Sequence, residues 1–254
     1  LIGAFCSPIY LPLTAWMVTT WNWRTAGRAL ALLVVGGSLL AAILTTGARS
    51  SDSGPSLQPV KAIRKALGRP AIQRMMAAYL TTGVAFTSVL VYQVPILSAS
   101  GATLALAGTI GGLRGFFQFL GRLGLTGLVE RYGSGVLLRL SFFVSSAGIA
   151  FLLGKGIAAG LTFALLAGLA MGASTPLQSI YARSHFDEHD LGLLMGLQGV
   201  SMGLAGALGP VLGGIMRDLS GTWKPTIIMA TTAMAVGAWL LKPGKQHPME
   251  KVGC

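Results

Sequence analysis

The sequence predicts an all-α integral membrane protein, and three properties of the chain support this fold class. Of its 254 residues, 53% are hydrophobic and only 10% are charged, whereas about a quarter of the residues in soluble domains are charged. The mean hydropathy is +0.69. Apolar stretches recur along the chain, and each has the roughly 17 to 25 residues that a helix needs to cross a bilayer. The 36 glycines agree with this prediction, because membrane helices tolerate glycine and use it to approach one another closely.

The apolar stretches predict about eight transmembrane helices. In chain order they cover residues 2–20, 30–46, 75–97, 103–123, 136–153, 157–180, 191–215 and 226–241. The chain begins inside an apolar stretch at Leu1, with no Met and no charged segment ahead of it. We therefore expect no signal peptide, and we expect further helices to precede this chain.

The first two predicted helices are joined by the motif Trp21-Asn22-Trp23-Arg24. Two indoles next to a cation favour the headgroup layer of a bilayer. The motif therefore predicts an interfacial turn between the two helices.

The longest polar segment, residues 47–73, opens with a stretch rich in Ser, Gly and Pro. Such a segment predicts a domain boundary. It separates a two-helix part, residues 1–46, from a six-helix part, residues 74–242, which is followed by a tail, residues 243–254.

Part of this segment has helical periodicity, since Val60, Ile63 and Leu67 recur at helical spacing while Lys61 and Arg64 occupy other faces. This pattern is typical of an amphipathic helix on anionic lipid. A solvated basic linker explains the same residues equally well.

The Lys and Arg residues divide unequally between the two ends of the predicted helices. Thirteen lie at one end, namely Arg49, Lys61, Arg64, Lys65, Arg69, Arg74, Arg122, Arg131, Arg139, Arg183, Lys242, Lys245 and Lys251. Five lie at the other, namely Arg24, Arg28, Lys155, Arg217 and Lys224. Because cytoplasmic loops carry an excess of Lys and Arg, we expect the linker and the C-terminus to be cytoplasmic.

The same distribution argues against nucleic acid as a partner. The net charge of +12 arises from loop residues between apolar stretches, which the positive-inside rule explains. The sequence contains no nucleophile elbow, P-loop or dinucleotide fingerprint. We therefore expect no catalytic residues, no cofactor and no bound metal, and the expected partners are a lipid bilayer and a small-molecule substrate.

Arg114 lies in the middle of the fourth predicted helix, where a charge facing lipid costs about 2.5–3.5 kcal/mol or more. We expect it to face a protein interior or a water-filled cavity, either to bind a substrate or to tie helices together through carbonyl groups. Arg114, Gln118 and Arg122 are spaced four apart and predict one polar stripe. Because the arginine fork can bind both oxygens of a carboxylate, the stripe predicts a site for an anionic substrate.

Three further polar residues complete the predicted substrate site. Tyr92 and Gln93 bring hydrogen-bonding groups into the third helix and are expected to line the same space, with core packing as the alternative. Gln198 is the one strongly polar side chain of the seventh predicted helix and is placed on the transport pathway.

Glycines predict where helices pack closely. A stripe on the fourth helix consists of Gly108, Gly111, Gly112 and Gly115. On the seventh helix Gly199 pairs with Gly203 and Gly209 with Gly213 at the small-xxx-small spacing that is typical of helix contacts. Gly209 and Pro210 together predict a flexible break in that helix.

The segment GRLGLTGLVERYG, residues 121–133, resembles the loop between the eighth and ninth helices of the major facilitator superfamily, whose general form is G-R-x-x-x-G-x-x-x-D-R-x-G. Four residues match, namely Gly121, Arg122, Arg131 and Gly133. Glu130 replaces the aspartate, and Thr126 lies where the inner glycine is usual. The resemblance implies a cytoplasmic gating loop that contains Glu130, Arg131 and Gly133.

Other segments resemble the same family in the same order. W-N-W-R is similar to the turn between helices five and six, ASTPLQSIYARSHF to the end of helix ten, and GALGPVLGGIMRDLSG to helix eleven. The resemblance implies the C-terminal part of a twelve-helix fold. Residues 1–46 would be the last two helices of the N-terminal half and residues 74–242 the six-helix C-terminal half, with helices one to four outside this chain.

Within the family, VYQVPILSASG followed by GFFQFLGRLGLTG is most similar to monocarboxylate and oxalate/formate-type porters. This resemblance implies a carboxylate-binding role for Arg122. Gln118 lies where some members carry an aspartate, and the seventh helix of this chain has no lysine, so an oxalate-type Arg/Lys pair is not expected.

The expected function is secondary active transport of a small organic anion such as a monocarboxylate, by alternating access in the cell (inner) membrane, with or without a coupling ion. Two alternatives remain open. One is efflux of lipophilic or cationic compounds by the same fold, and the other is a partial membrane module that does not transport.

Overall fold

The computed structural model describes residues 17, 20–45, 63–64, 66–185 and 188–241, and these residues form helices joined by short connections without any β-strand. The helices are α1 (Trp23–Thr45), α2 (Pro70–Ala99), α3 (Leu104–Leu120), α4 (Leu125–Tyr132), α5 (Ser134–Ala150), α6 (Ile157–His185), α7 (Glu188–Ser220) and α8 (Lys224–Leu240). A 3-10 turn, Phe151–Leu153, follows α5. The predicted all-α membrane fold class is confirmed.

The second to eighth predicted spans overlap α1, α2, α3, α5, α6, α7 and α8, while most of residues 2–20 lies outside the described residues. Within the described ranges, five helices are long and apolar enough to cross a membrane, and Leu104–Leu120 is a shorter apolar helix. The five candidate spans are Trp23–Ile43, Pro70–Ala99, Ser134–Leu153, Ile157–Ser184 and Gly192–Ser220. Helix α2 begins five residues before the predicted span because Pro70 suits the first turn of a helix. Backbone N–H groups in the first turn have no acceptor within the helix, so the N–H that proline lacks is not needed there.

The chain divides into two units, Leu1–Arg64 and Lys65–Cys254, and the division falls within the polar segment 47–73. In the first unit α1 begins after Asn22, whose φ is 79°. The Asn22 Oδ1 atom accepts hydrogen bonds from the backbone N–H groups of Arg24 and Thr25, both at 3.1 Å. The W-N-W-R motif therefore forms a capped helix start. Residues 47–62 of the linker and the tail after residue 241 lie outside the described residues.

In the second unit, α2 packs against α3, α7 and α8, whereas α6 packs against α3 and α5. Helix α8 also contacts α5 and α7. The shared core contains the fully buried side chains of Tyr79, Ile110, Leu138, Phe142 and Phe163. Helix α3 is thus held between α2 on one side and α6 on the other.

Close contact between α3 and α6 depends on glycines of α6 rather than on the predicted glycine stripe of α3. A Cβ atom at Gly168 would lie 2.7 Å from the carbonyl oxygen of Arg114, and one at Gly172 would overlap the carbonyl oxygen of Gln118. On α3, a Cβ at three of the four predicted glycines would meet open space, namely Gly108, Gly112 and Gly115. The spacing of small residues marks a helix that can approach closely, but it does not reveal which partner supplies the small residues.

Helix α7 is continuous through Pro210, so the predicted break at Gly209–Pro210 is not found. Two side chains of α2 bind the backbone here: the Ser88 hydroxyl donates to the Gly209 carbonyl at 2.7 Å and the Tyr92 hydroxyl to the Pro210 carbonyl at 2.8 Å. These hydrogen bonds tie α2 to α7 beside Pro210, and membrane helices tolerate proline within a span.

The predicted packing glycines of α7 differ in their surroundings. A Cβ at Gly209 would lie 2.7 Å from the Val84 carbonyl oxygen, and one at Gly213 would lie 3.0 Å from Tyr92. Gly199 and Gly203 have open space within the described structure. Only the second pair therefore lies at a close helix contact there.

The segment predicted as a gating loop contains the eight-residue helix α4. Two glycines with left-handed backbone flank it, Gly124 with φ of 70° and Gly133 with φ of 81°, and this conformation strongly favours glycine. Glu130 and Arg131 are exposed on α4, and the Arg131 guanidinium lies 5.3 Å from the Tyr132 ring centre. The connection between α3 and α5 is a helix between two glycine turns rather than a simple turn.

Candidate functional site

Arg114 lies in a polar cluster with two glutamines, and we refer to Gln93, Arg114 and Gln118 as the arginine–amide cluster. The Arg114 side chain is only 5% exposed. Its Nε donates to Gln93 Oε1 at 2.8 Å and its Nη1 to Gln118 Oε1 at 3.3 Å. Since Gln93 belongs to α2, the cluster joins α2 to α3.

The electrostatic character of the cluster follows from its composition. Arginine stays protonated in proteins, and within the described part of the chain no carboxylate pairs with Arg114. The two amide oxygens are neutral acceptors that solvate the guanidinium without cancelling its charge. A guanidinium has five N–H donors, of which these two bonds use two. The cluster is therefore suited to accept an anion that can bind the remaining donors.

The backbone of α3 holds the cluster in place. Arg114 and Gln118 are one turn apart, and their carbonyl groups lie against Gly168 and Gly172 of α6. Because these glycines have no side chains, α3 lies closer to α6 than larger residues would allow. The side chain of Arg114 extends instead to Gln93 on α2.

Arg122 lies outside the cluster. Helix α3 ends at Leu120 and Arg122 lies in the following turn, where its backbone N–H donates to the Phe119 carbonyl at 3.1 Å. Because the helix stops first, the predicted stripe with a spacing of four does not extend to Arg122. Its Nε atom is buried without a hydrogen-bond partner among the described residues.

Tyr92 and Gln93 were both expected to line the space that the Arg114 stripe faces; Gln93 contacts Arg114, whereas Tyr92 does not. The Tyr92 ring lies on Trp223 with 4.9 Å between ring centres, and its hydroxyl binds the Pro210 carbonyl. Adjacent residues of a helix point about 100° apart. Tyr92 therefore contacts α7 and the start of α8 while Gln93 reaches α3.

Gln198 forms a second polar contact with Gln178 of α6, a residue that the sequence had not indicated as functional. The Gln198 Nε2 donates to Gln178 Oε1 at 2.7 Å, and Gln178 is buried. We refer to these two residues as the glutamine pair. The signal that could have revealed Gln178 is an amide within an apolar span, because such a group needs a partner on another helix.

The glutamine pair lines a cavity of about 150 Å³. Three hydroxyl-bearing residues line it as well, together with five apolar side chains, Phe86, Phe142, Met171, Met202 and Met234. No charged residue is among the described residues that line this cavity. It is thus a neutral cavity, and the arginine–amide cluster does not contribute to it.

The fold is similar to that of solved transporters. A structure of a variant of the E. coli fucose:proton symporter FucP superposes with a TM-score of 0.69 at 16% sequence identity, covering 85% of this chain and 55% of that one. FucP in the outward conformation gives a TM-score of 0.67 at 18% identity, covering 87% and 55%. The chain therefore spans little more than half the length of these proteins. No curated protein sequence was found to match the chain.

Family membership rests on the sequence itself. Residues 90–253, which are more than half of the chain, match the Major Facilitator Superfamily. The match includes the segments from the end of α2 to the C-terminal tail, and thus the α3–α5 connection whose motif resembles that family. The chain therefore belongs to the major facilitator superfamily, and it is a multi-pass membrane protein.

Proposed function

We propose that the chain is part of a secondary active transporter that moves a small organic anion, such as a monocarboxylate, by alternating access. The observation that supports this proposal is the burial of Arg114 between two amides without a carboxylate partner in the described residues. In alternating access two helical halves rock around a site near the middle of the membrane.

A buried cation in a membrane span is costly unless it is paired, and an anionic substrate supplies the missing charge each time it binds. The guanidinium fork of Arg114 binds the substrate carboxylate, while Gln93 and Gln118 hold the fork in orientation. Arg122, at the end of α3, raises the local concentration of anions. Tyr92 and Gln198 support the helix packing around the site instead of binding substrate.

The orientation and coupling belong to the same proposal. The excess of Lys and Arg on one side supports a cytoplasmic linker and C-terminus, and the membrane that we propose for the protein is the cell (inner) membrane. The fucose:proton symporter is similar in fold, which supports coupling to an ion. A neutral sugar as the substrate would argue against the role given to Arg114.

The test is uptake of a panel of small monocarboxylates by the full-length protein in proteoliposomes. With Arg114→Gln we expect the KM to rise at least 10-fold, because charged hydrogen bonds contribute about 1.5–3 kcal/mol. Arg114→Lys keeps the charge but loses the fork, and its KM should lie between the KM of the wild type and that of Arg114→Gln. The control is Arg183→Gln, which removes an exposed charge near the end of α6. Unchanged anion uptake by Arg114→Gln would contradict the proposal.

A second candidate function is efflux of lipophilic compounds, and the neutral cavity favours it. Two phenylalanines and three methionines line that cavity beside the glutamine pair, and methionine-rich surfaces adapt to varied apolar ligands. Efflux of a lipophilic dye that is lowered by Met202→Gln and unaffected by Arg114→Gln would select this function. A non-transporting module would show no flux in either assay.

A further inference from the structure

A larger cavity, of about 280 Å³, lies at one end of the second unit. The end of α2, the 3-10 turn, the α5–α6 connection, the last turn of α7 and the start of α8 surround it. No residue of the arginine–amide cluster or the glutamine pair lines it. It is thus a separate feature of the fold, and its ligand can be considered independently of the transported substrate.

Three cations line this cavity, Lys155, Arg217 and Lys224. Lys155 lies in the α5–α6 connection, whereas Arg217 and Lys224 flank the α7–α8 connection, so only the fold brings Lys155 to the other two. The sequence assigns just five Lys and Arg residues to this side of the membrane, and three of these five meet here. No acidic residue is among the described residues that line the cavity. The cavity is therefore strongly electropositive on the side where cations are scarce.

The start of α8 adds to this potential. Trp223 and Lys224 line the cavity where α8 begins, and the N-terminus of a helix carries a partial positive charge. The Arg217 guanidinium lies 5.3 Å from the Trp223 ring centre, and the Tyr92 ring lies 4.9 Å from the same ring. Arg217 is thus held by aromatic side chains at a cavity that no acidic residue lines among the described residues.

Most of the remaining lining is apolar and includes Ile96, Leu152 and Ile227, all of which are buried, while Ser100 and Thr222 add two hydroxyl groups. A site with cations at its mouth and apolar side chains at its base fits a ligand with an anionic head and an apolar chain. The volume is close to the lower limit of about 300 Å³ for small-molecule pockets. It suits a headgroup or a short organic anion better than a large ligand.

We propose that this cavity binds the phosphate or carboxylate group of an anionic amphiphile, with Lys155, Arg217 and Lys224 around the anion and the apolar chain against the base. The ligand has two sources, an anionic phospholipid of the surrounding bilayer or a free organic anion. The proposal goes beyond the transport function, because this cavity is separate from the proposed transport site. Binding of the amphiphile to it can therefore be measured without any transport.

The test uses the full chain in neutral detergent and native mass spectrometry with short-chain phosphatidylglycerol, compared with phosphatidylcholine of the same chain length. In a second arm, hexanoate replaces the lipid. The triple variant Lys155→Gln, Arg217→Gln, Lys224→Gln should bind phosphatidylglycerol about 100-fold more weakly, since each cation near an anionic headgroup contributes roughly fivefold. Competition by hexanoate identifies a free anion as a source, and binding of the lipid alone identifies the headgroup.

Two further variants make the result specific to the cavity. A control variant removes three exposed cations elsewhere, as Arg28→Gln, Arg74→Gln and Arg183→Gln. It should keep the wild-type affinity for phosphatidylglycerol. A charge-retaining variant exchanges lysine and arginine at the three positions, as Lys155→Arg, Arg217→Lys and Lys224→Arg. Its affinity for phosphatidylglycerol should lie within a few-fold of that of the wild type. The proposal is overturned if the triple Gln variant binds as the wild type does, if phosphatidylcholine binds as tightly as phosphatidylglycerol, or if the charge-retaining variant loses binding.

Discussion

At the scale of single residues, Arg114 was identifiable from its position in an apolar span and Gln93 was expected to line the same space, but the hydrogen bond between them was not predicted. Gln118 follows one turn later on the same helix, so its contact is implied by the spacing. Gln93 reaches Arg114 only because α2 packs beside α3. Whether the two amides are a structural tie or part of an anion site is decided by adding a carboxylate to the cluster.

Gln93→Glu should retain the fold and lower monocarboxylate uptake at least 10-fold. The new carboxylate would pair with the Arg114 guanidinium at the position of the present 2.8 Å hydrogen bond and compete with the substrate for it. Thermal unfolding and uptake are measured together. The control is Ala71→Glu, because Ala71 is exposed in the first turn of α2 and a surface change has little effect. Undiminished uptake by Gln93→Glu would show that Arg114 does not bind the anion.

At the scale of helices, the contact between α3 and α6 determines where the cluster lies. Gly168 and Gly172 of α6 allow the carbonyl groups of Arg114 and Gln118 to approach. The glycines of α3 itself do not make this contact. Glycine spacing therefore indicated that α3 lies in a region of close packing, but it placed the small residues on the wrong helix.

Gly172→Ala should destabilise the protein by about 1–3 kcal/mol, because the added methyl group overlaps the Gln118 carbonyl and the interface is already filled. The measurement is thermal unfolding in detergent. Gly112→Ala is the control, since Gly112 has open space around it and alanine is the better helix former. Equal stability of the two variants would show that the crossing is not closely packed.

At the scale of the whole molecule, the distribution of Lys and Arg over the helix ends predicts how the protein is oriented in the membrane. Arg183 at the end of α6 and Lys155 before α6 lie at opposite ends of that helix. The positive-inside rule assigns the Arg183 end to the cytoplasm. The sequence also contains a natural reporter, Cys254, at the C-terminus.

In intact cells a membrane-impermeant maleimide should label Lys155→Cys in a background with Cys6→Ser and Cys254→Ser. Only after permeabilisation should the maleimide label Arg183→Cys in the same background. The same holds for the native Cys254 in a variant that carries Cys6→Ser alone. The measurement is the fraction of labelled protein before and after permeabilisation. The reverse pattern would invert the proposed orientation.

The sequence by itself determined the fold class, most of the helix positions and the burial of Arg114, because length, hydropathy and the cost of an intramembrane charge are properties of local stretches. Only the tertiary structure decided that Gln93 binds Arg114, that Gln178 binds Gln198, that Tyr92 faces α7, and that three cations share one cavity. The physical reason is that these helices are apolar around most of their circumference. Their sequences therefore contain little information about helix rotation, and rotation selects which distant residues meet.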